Sequence, residues 1–139
     1  MIRFEKGATN DVVVTLTENA TATGFIYLFR FMNQQTAVEY YFIATDTSAY
    51  KERYNQFSVI EKVNANTLNG EVSLGNEGFY DYEVYQTSLS STTGLANAAA
   101  AVPYIVKSLE VGLVWVIPSA QDIDKYTPQT NTSIVYQPE

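Results

Sequence analysis

The chain has 139 residues, the size of one domain, and a formal net charge of −7 from 8 basic and 15 acidic residues. An acidic chain without clustered Lys and Arg is not expected to bind nucleic acid through its phosphates. Cysteine and histidine are absent, which excludes disulfides, thiol chemistry and the commonest general base and metal ligand. No run reaches the ~18 apolar residues of a membrane helix, and the start MIRFEKG lacks a signal-peptide core. We therefore expect a protein that is made in a cytoplasm and does not bind membranes.

The first two strand candidates precede residue 18. Ile2–Phe4 is predicted as a short edge strand. Asp11–Thr17 is a stronger candidate, because Val12, Val14 and Leu16 would share one face of an extended chain. A polar loop of small residues follows.

The stretch from Gly24 to Ala44 is rich in aromatic and β-branched residues. Its apolar runs Phe25–Met32 and Val38–Ala44 flank a short polar spacer, which predicts a β-hairpin. In an extended chain the first run presents two faces, namely Phe25, Tyr27, Phe29 and Phe31 on one side and Ile26, Leu28, Arg30 and Met32 on the other. A strand that is apolar on both faces must be covered on both, by its own fold or by another subunit. The second face, together with Tyr41, is therefore the candidate interface.

Further strands are predicted in the middle of the chain. Gln56–Glu61 is one, and Asn69-Gly70 is a favourable hairpin-turn dipeptide. Phe79–Thr87 alternates well, which directs Tyr80, Tyr82 and Val84 inward.

Two predictions concern the chain beyond residue 90. The alanine-rich segment Asn97–Val102 is expected to be a loop insertion or a single helical turn packed on a neighbour, because Pro103 limits its length. Tyr104–Leu109 and Leu113–Ile117 are predicted as a hairpin that turns at Glu110-Val111-Gly112.

Eight or nine short strands at close spacing predict an all-β, antiparallel β-sandwich over residues 1–118. Residues 119–139 contain little core material, and we expect a C-terminal arm or edge extension there.

Few residues suggest chemistry. Asp81 and Glu83 could form a carboxylate pair, although acidic residues are also usual on the solvent face of a strand. Asp122 and Asp124 resemble a cation loop only faintly, since the glycine and the distal Glu of an EF-hand are missing. No phosphate-binding, dinucleotide-binding or nucleophile-elbow motif is present. We predict that the protein is not an enzyme and carries neither cofactor nor metal.

The aromatic residues permit two interpretations. Trp115 and outward tyrosines such as Tyr41 or Tyr85 could form a platform on which sugars or nucleobases stack. Such residues more often lie in a sandwich core or in a protein–protein interface.

The segment that follows Leu74 resembles the tyrosine corner of immunoglobulin-like domains. In that corner a Gly-x-Tyr sequence, here Gly78 to Tyr80, begins a strand, and the Tyr hydroxyl bonds to backbone a few residues upstream. The resemblance implies an immunoglobulin-like fold in which Tyr82 takes the place of a core cysteine. The cysteine pair and the early-strand Trp of antibody domains are missing.

A broader resemblance covers roughly Phe25 to Val116. The stretches FIYLFRFMNQQTAVEYYFIATDTSAYKERYNQFSV, LNGEVSLGNEGFYDYEVYQTS and LEVGLVWV are similar to small virion proteins of tailed phages, in particular crAss-like phages. The resemblance implies a head auxiliary (decoration) protein on the capsid surface of a virion. Its expected partners are the major capsid protein, neighbouring virion proteins and copies of itself in the lattice. The alternative is a tail or fibre adhesion module that binds a host-surface glycan.

Overall fold

Two packed β-sheets form the protein in a computed structural model that describes residues 2–22, 24–50 and 52–118. The strands are β1 Ile2–Glu5, β2 Thr9–Val14, β3 Tyr27–Asn33, β4 Glu39–Ala44, β5 Asn55–Glu61, β6 Glu71–Val72, β7 Gly78–Thr87 and β8 Ile105–Ile117. Short 3-10 helices lie at Thr17–Asn19 and Ala98–Tyr104. The predicted arm at residues 119–139, with Asp122 and Asp124, falls outside the described residues.

The predicted all-β sandwich is confirmed. One sheet has the order β1-β8-β7-β3-β4 and the other the order β2-β5-β6. The series β8-β7-β3-β4 matches strands G, F, C and C′ of a variable-type immunoglobulin domain, and the β2–β5 pair matches strands B and E. Two pairs depart from the antiparallel pattern, because β1 runs parallel to β8 and β6 runs parallel to β5.

The main core lies between the sheets and is built from aromatic rings. Phe29 stacks on Phe42 with ring centroids 4.9 Å apart, and Phe57 of the opposite sheet meets Phe29 edge-on at 4.8 Å. Phe31 and Phe4 make a similar edge contact at 5.5 Å. Each buried aromatic of this kind contributes about 1.5–3 kcal/mol to folding. The inward face predicted for β3 is therefore confirmed.

A smaller apolar cluster covers part of the opposite face of β3 and β4. Ala98 and Ala101 of the 3-10 helix Ala98–Tyr104, hereafter the covering helix, are buried against Leu28 and Ile43. Alanine side chains allow the helix backbone to come close to the sheet. Asn97 caps the helix by accepting a 3.2 Å hydrogen bond from the Ala100 amide. Of the two predicted alternatives for this segment, the turn packed on a neighbour is the one observed.

The predicted tyrosine corner is confirmed. The buried Tyr80 hydroxyl donates a 2.6 Å hydrogen bond to the backbone carbonyl of Asn76. Gly78 begins β7 with a φ of 120°, a conformation that favours glycine. Leu74 is buried, and its amide donates a 2.9 Å hydrogen bond to Glu61 Oε2. Tyr82 and Val84 point inward, as predicted.

Two turn predictions are wrong. Residues 105–117 form one continuous strand, so Glu110-Val111-Gly112 is not a hairpin turn. Gly112 is instead needed for packing, because a Cβ atom there would lie 2.6 Å from Cε1 of Tyr82. Asn69-Gly70 joins β5 to a parallel β6, so the connection is not a hairpin, although Gly70 has the φ of 73° that such turns require.

Candidate interaction surface

The outer face of the five-stranded sheet, which points away from the sandwich core, has three zones. In the first zone the covering helix buries Leu28, which is 0% exposed, and Ile43. Ile26 and Tyr41 are half-buried against this cluster. Leu28 therefore offers no surface to a partner, and much of the predicted interface on β3 is covered by the chain itself.

A charged band crosses the middle of the same face. Arg30 donates to Glu39 Oε2 at 2.9 Å and to Glu83 Oε1 at 3.1 Å. Tyr85 Oη also donates to Glu83 Oε1, at 2.8 Å. Burial, followed by this hydrogen bond, raises the pKa of Tyr85 to about 12, so the hydroxyl remains a donor at neutral pH. The band fixes the middle of the sheet with charge-assisted hydrogen bonds.

The predicted carboxylate pair does not act as a unit. Glu83 belongs to the Arg30 network, whereas Asp81 accepts a 3.0 Å hydrogen bond from the Gln34 amide. Within residues 2–22, 24–50 and 52–118, no three Asp, Glu, His or Cys side chains gather in a way that could hold a metal ion.

The third zone is an exposed apolar patch on β7 and β8. It consists of Phe79, Val111, Leu113 and Trp115, whose exposed fractions are 48%, 67%, 42% and 42%. The β7–β8 register places Phe79 opposite Trp115, and their rings stack with centroids 6.2 Å apart and planes 20° apart. We call these four residues the apolar patch. Met32 of β3 is half-buried and pairs with Asp81 of β7. It lies on the outer face between the apolar patch and the charged band.

Most of the interface residues predicted on β3 and β4 are covered within the chain, whereas the apolar patch lies on other strands. Of the predicted interface residues, only Arg30 and Met32 lie beyond the contacts of the covering helix cluster, and Arg30 is engaged by two carboxylates. Trp115 was recognised as a stacking candidate, but Phe79, Val111 and Leu113 were missed. The signal was present, since the run Leu113–Ile117 is apolar on both faces, as β3 is.

Comparison with known proteins does not identify a family for the chain. No protein-family model and no curated protein matches the chain. A solved structure from Bacteroides vulgatus ATCC 8482, described as a candidate glycoside hydrolase, aligns with a TM-score of 0.43 at 10% sequence identity. The alignment covers 88% of this chain but only 17% of that protein. Similarity at this level supports no statement about function. No helix among the described residues is long and apolar enough to cross a membrane.

Proposed function

We propose that the chain is a non-catalytic virion structural protein, and specifically a capsid auxiliary protein that binds the outer surface of the major capsid lattice. The observation that carries the proposal is the apolar patch. Soluble monomers seldom expose stacked aromatic rings beside two aliphatic side chains, and such surfaces are typical of protein interfaces. The resemblance to small phage virion proteins supports the choice of partner.

The patch is large enough to anchor a contact. Aromatic side chains bury about 150–250 Å² each, so Trp115 and Phe79, at 42% and 48% exposure, each leave roughly 100 Å² for a partner. At about 25 cal/mol per Å², each ring would contribute about 2 kcal/mol on binding. This is the size of an interface hot spot, although one patch alone makes a weak complex.

Charge indicates the chemistry of the partner surface. The chain carries a net charge of −7, and the patch is bordered by Asp81 and Glu83 on β7 and by Arg3 beside Trp115 on β1. A complementary capsid surface would have an apolar centre, basic residues opposite Asp81 and Glu83, and an acidic residue opposite Arg3. Attraction between rim charges is screened by salt, so association should slow as ionic strength rises.

The test is binding of the purified protein to expanded empty heads that lack it. We expect saturable, stoichiometric binding, weakened about 30-fold by Trp115→Ala, the equivalent of about 2 kcal/mol. Tyr50→Ala is the matched control, because Tyr50 is an exposed aromatic (62%) outside the patch, and it should bind normally. Retention on host-surface glycans without any head binding would overturn the proposal in favour of an adhesion module.

A further inference from the structure

A cleft of about 840 Å³ opens at one end of the sandwich, away from the apolar patch. It is lined by residues from the loops that connect β2 to β3, β4 to β5, β5 to β6 and β7 to β8. The first and last of these correspond to the B–C and F–G loops, which form part of the binding end of variable immunoglobulin domains. The volume falls within the range of about 300–1,000 Å³ that is usual for small-ligand sites.

The cleft combines an aromatic wall with free polar groups. Phe25 and Tyr27 are half-buried there, with ring centroids 4.7 Å apart. Among the described residues, nothing hydrogen-bonds to Tyr27 Oη or to the side chains of Asn69, Ser90 and Thr92. Burial and the nearby Asp46 carboxylate raise the pKa of Tyr27, so its hydroxyl stays protonated and can donate.

The charges of the lining select against anionic ligands. No Lys or Arg is found among the described lining residues, which include the carboxylates of Asp46 and Glu52. Asp46 is committed to the fold, because its oxygens accept from the Ser48 and Gln56 amides and from Asn55 Nδ2. A ligand for this site must therefore be uncharged or cationic, with several hydroxyl or amide groups and one apolar face.

We propose that the cleft binds a neutral oligosaccharide, with Phe25 against the C–H face of a sugar ring and Tyr27, Asn69 and Ser90 hydrogen-bonded to its hydroxyls. Sugars present both surfaces, an apolar ring face and a polar edge, that this lining complements. The site lies apart from the apolar patch and does not depend on the capsid function proposed above.

In the test, neutral saccharides are titrated into the full chain and binding is measured from the shifts of its amide NMR signals. The neutral saccharides are maltotetraose, mannotetraose, xylotetraose and chitotetraose. Sialyllactose is the acidic comparison. We expect saturable binding of at least one neutral saccharide and weaker binding of sialyllactose. Tyr27→Phe should weaken binding about fivefold through the loss of one hydrogen bond. Ser90→Trp, at an exposed position, should obstruct the cleft and abolish binding while leaving the urea midpoint unchanged.

Trp115→Ala is the matched control and should bind the saccharide normally, because it alters the apolar patch alone. Absence of binding to every neutral saccharide at millimolar concentration would overturn the proposal. Saccharide binding that survives Ser90→Trp but is lost in Trp115→Ala would also overturn the proposal. That result would show that the saccharide binds the outer face of the five-stranded sheet and not the cleft. Head binding is measured separately, so failure of either proposal leaves the other intact.

Discussion

Replacement of Gly112 by Ala should destabilise the protein although the backbone there suits any residue. A Cβ at this position would lie 2.6 Å from Cε1 and 2.9 Å from Cζ and Oη of Tyr82. The Tyr82 ring is buried and its hydroxyl is hydrogen-bonded to the Glu110 carboxylate, so it cannot move aside without losing that bond. Overpacking costs about 1–3 kcal/mol and a hydrogen bond to a charged group about 1.5–3 kcal/mol. If the ring moves to relieve the overpacking it loses the hydrogen bond, so the two costs do not add in full. We therefore expect the free energy of unfolding to fall by about 2–4 kcal/mol.

Urea unfolding measures this loss, with an unchanged m-value as the sign that only stability has altered. The decisive comparison repeats the substitution in a Tyr82→Leu background, where the atoms that clash are gone. There Gly112→Ala should cost less than about 0.5 kcal/mol, or even stabilise, because alanine restricts the unfolded chain more than glycine does. An equal cost in both backgrounds would refute the close-approach explanation.

Three further outcomes follow from single residues. Tyr80→Phe should lower the free energy of unfolding by about 1 kcal/mol, because it removes the hydrogen bond to the Asn76 carbonyl, and an unchanged urea midpoint would contradict this. Ala37→Gly should raise the free energy of unfolding by about 0.5–1 kcal/mol, because a φ of 60° strains alanine but not glycine. Any loss of stability in this variant would contradict the presence of strain at Ala37. Tyr85 has a folded pKa of about 12 against an ordinary 10.0, so it binds its proton more tightly when folded. The contribution of this pKa shift to the free energy of unfolding is complete below about pH 10 and is lost as the pH rises toward about 12. Urea unfolding measured across this pH range should therefore show a shallower loss of stability in Tyr85→Phe than in the unaltered protein.

Local pattern was sufficient for most strands and for the corner at Tyr80. β5 was expected at Gln56–Glu61 and lies at Asn55–Glu61, and the alternation in β7 predicted its inward side chains correctly. Both are recognisable because side chains on a strand repeat every two residues. The hydrogen bond of Tyr80 was also predictable, because donor and acceptor are only four residues apart.

Features that depend on distant residues were not predictable in this way. Glycine is a residue type typical of turns, yet Gly112 lies within a strand, where the nearby Tyr82 ring leaves no room for a Cβ atom. The parallel pairing of β6 with β5 likewise depends on the path of the chain around Gly70. The local preferences of the residues do not predict that path. The cleft is a third example, since its walls come from loops far apart in the chain.

The apolar character of β3 on both faces indicates that two covers are needed, but it does not say which molecule supplies the second one. The covering helix supplies it, because Ala98 and Ala101 are small enough to bring the helix onto Leu28 and Ile43. β8 is also apolar on both faces near its end, but the covering helix ends at Tyr104 and leaves Leu113 and Trp115 exposed. The surface that remains for assembly therefore lies two strands across the sheet from β3, at Val111, Leu113 and Trp115 of β8, which are exposed.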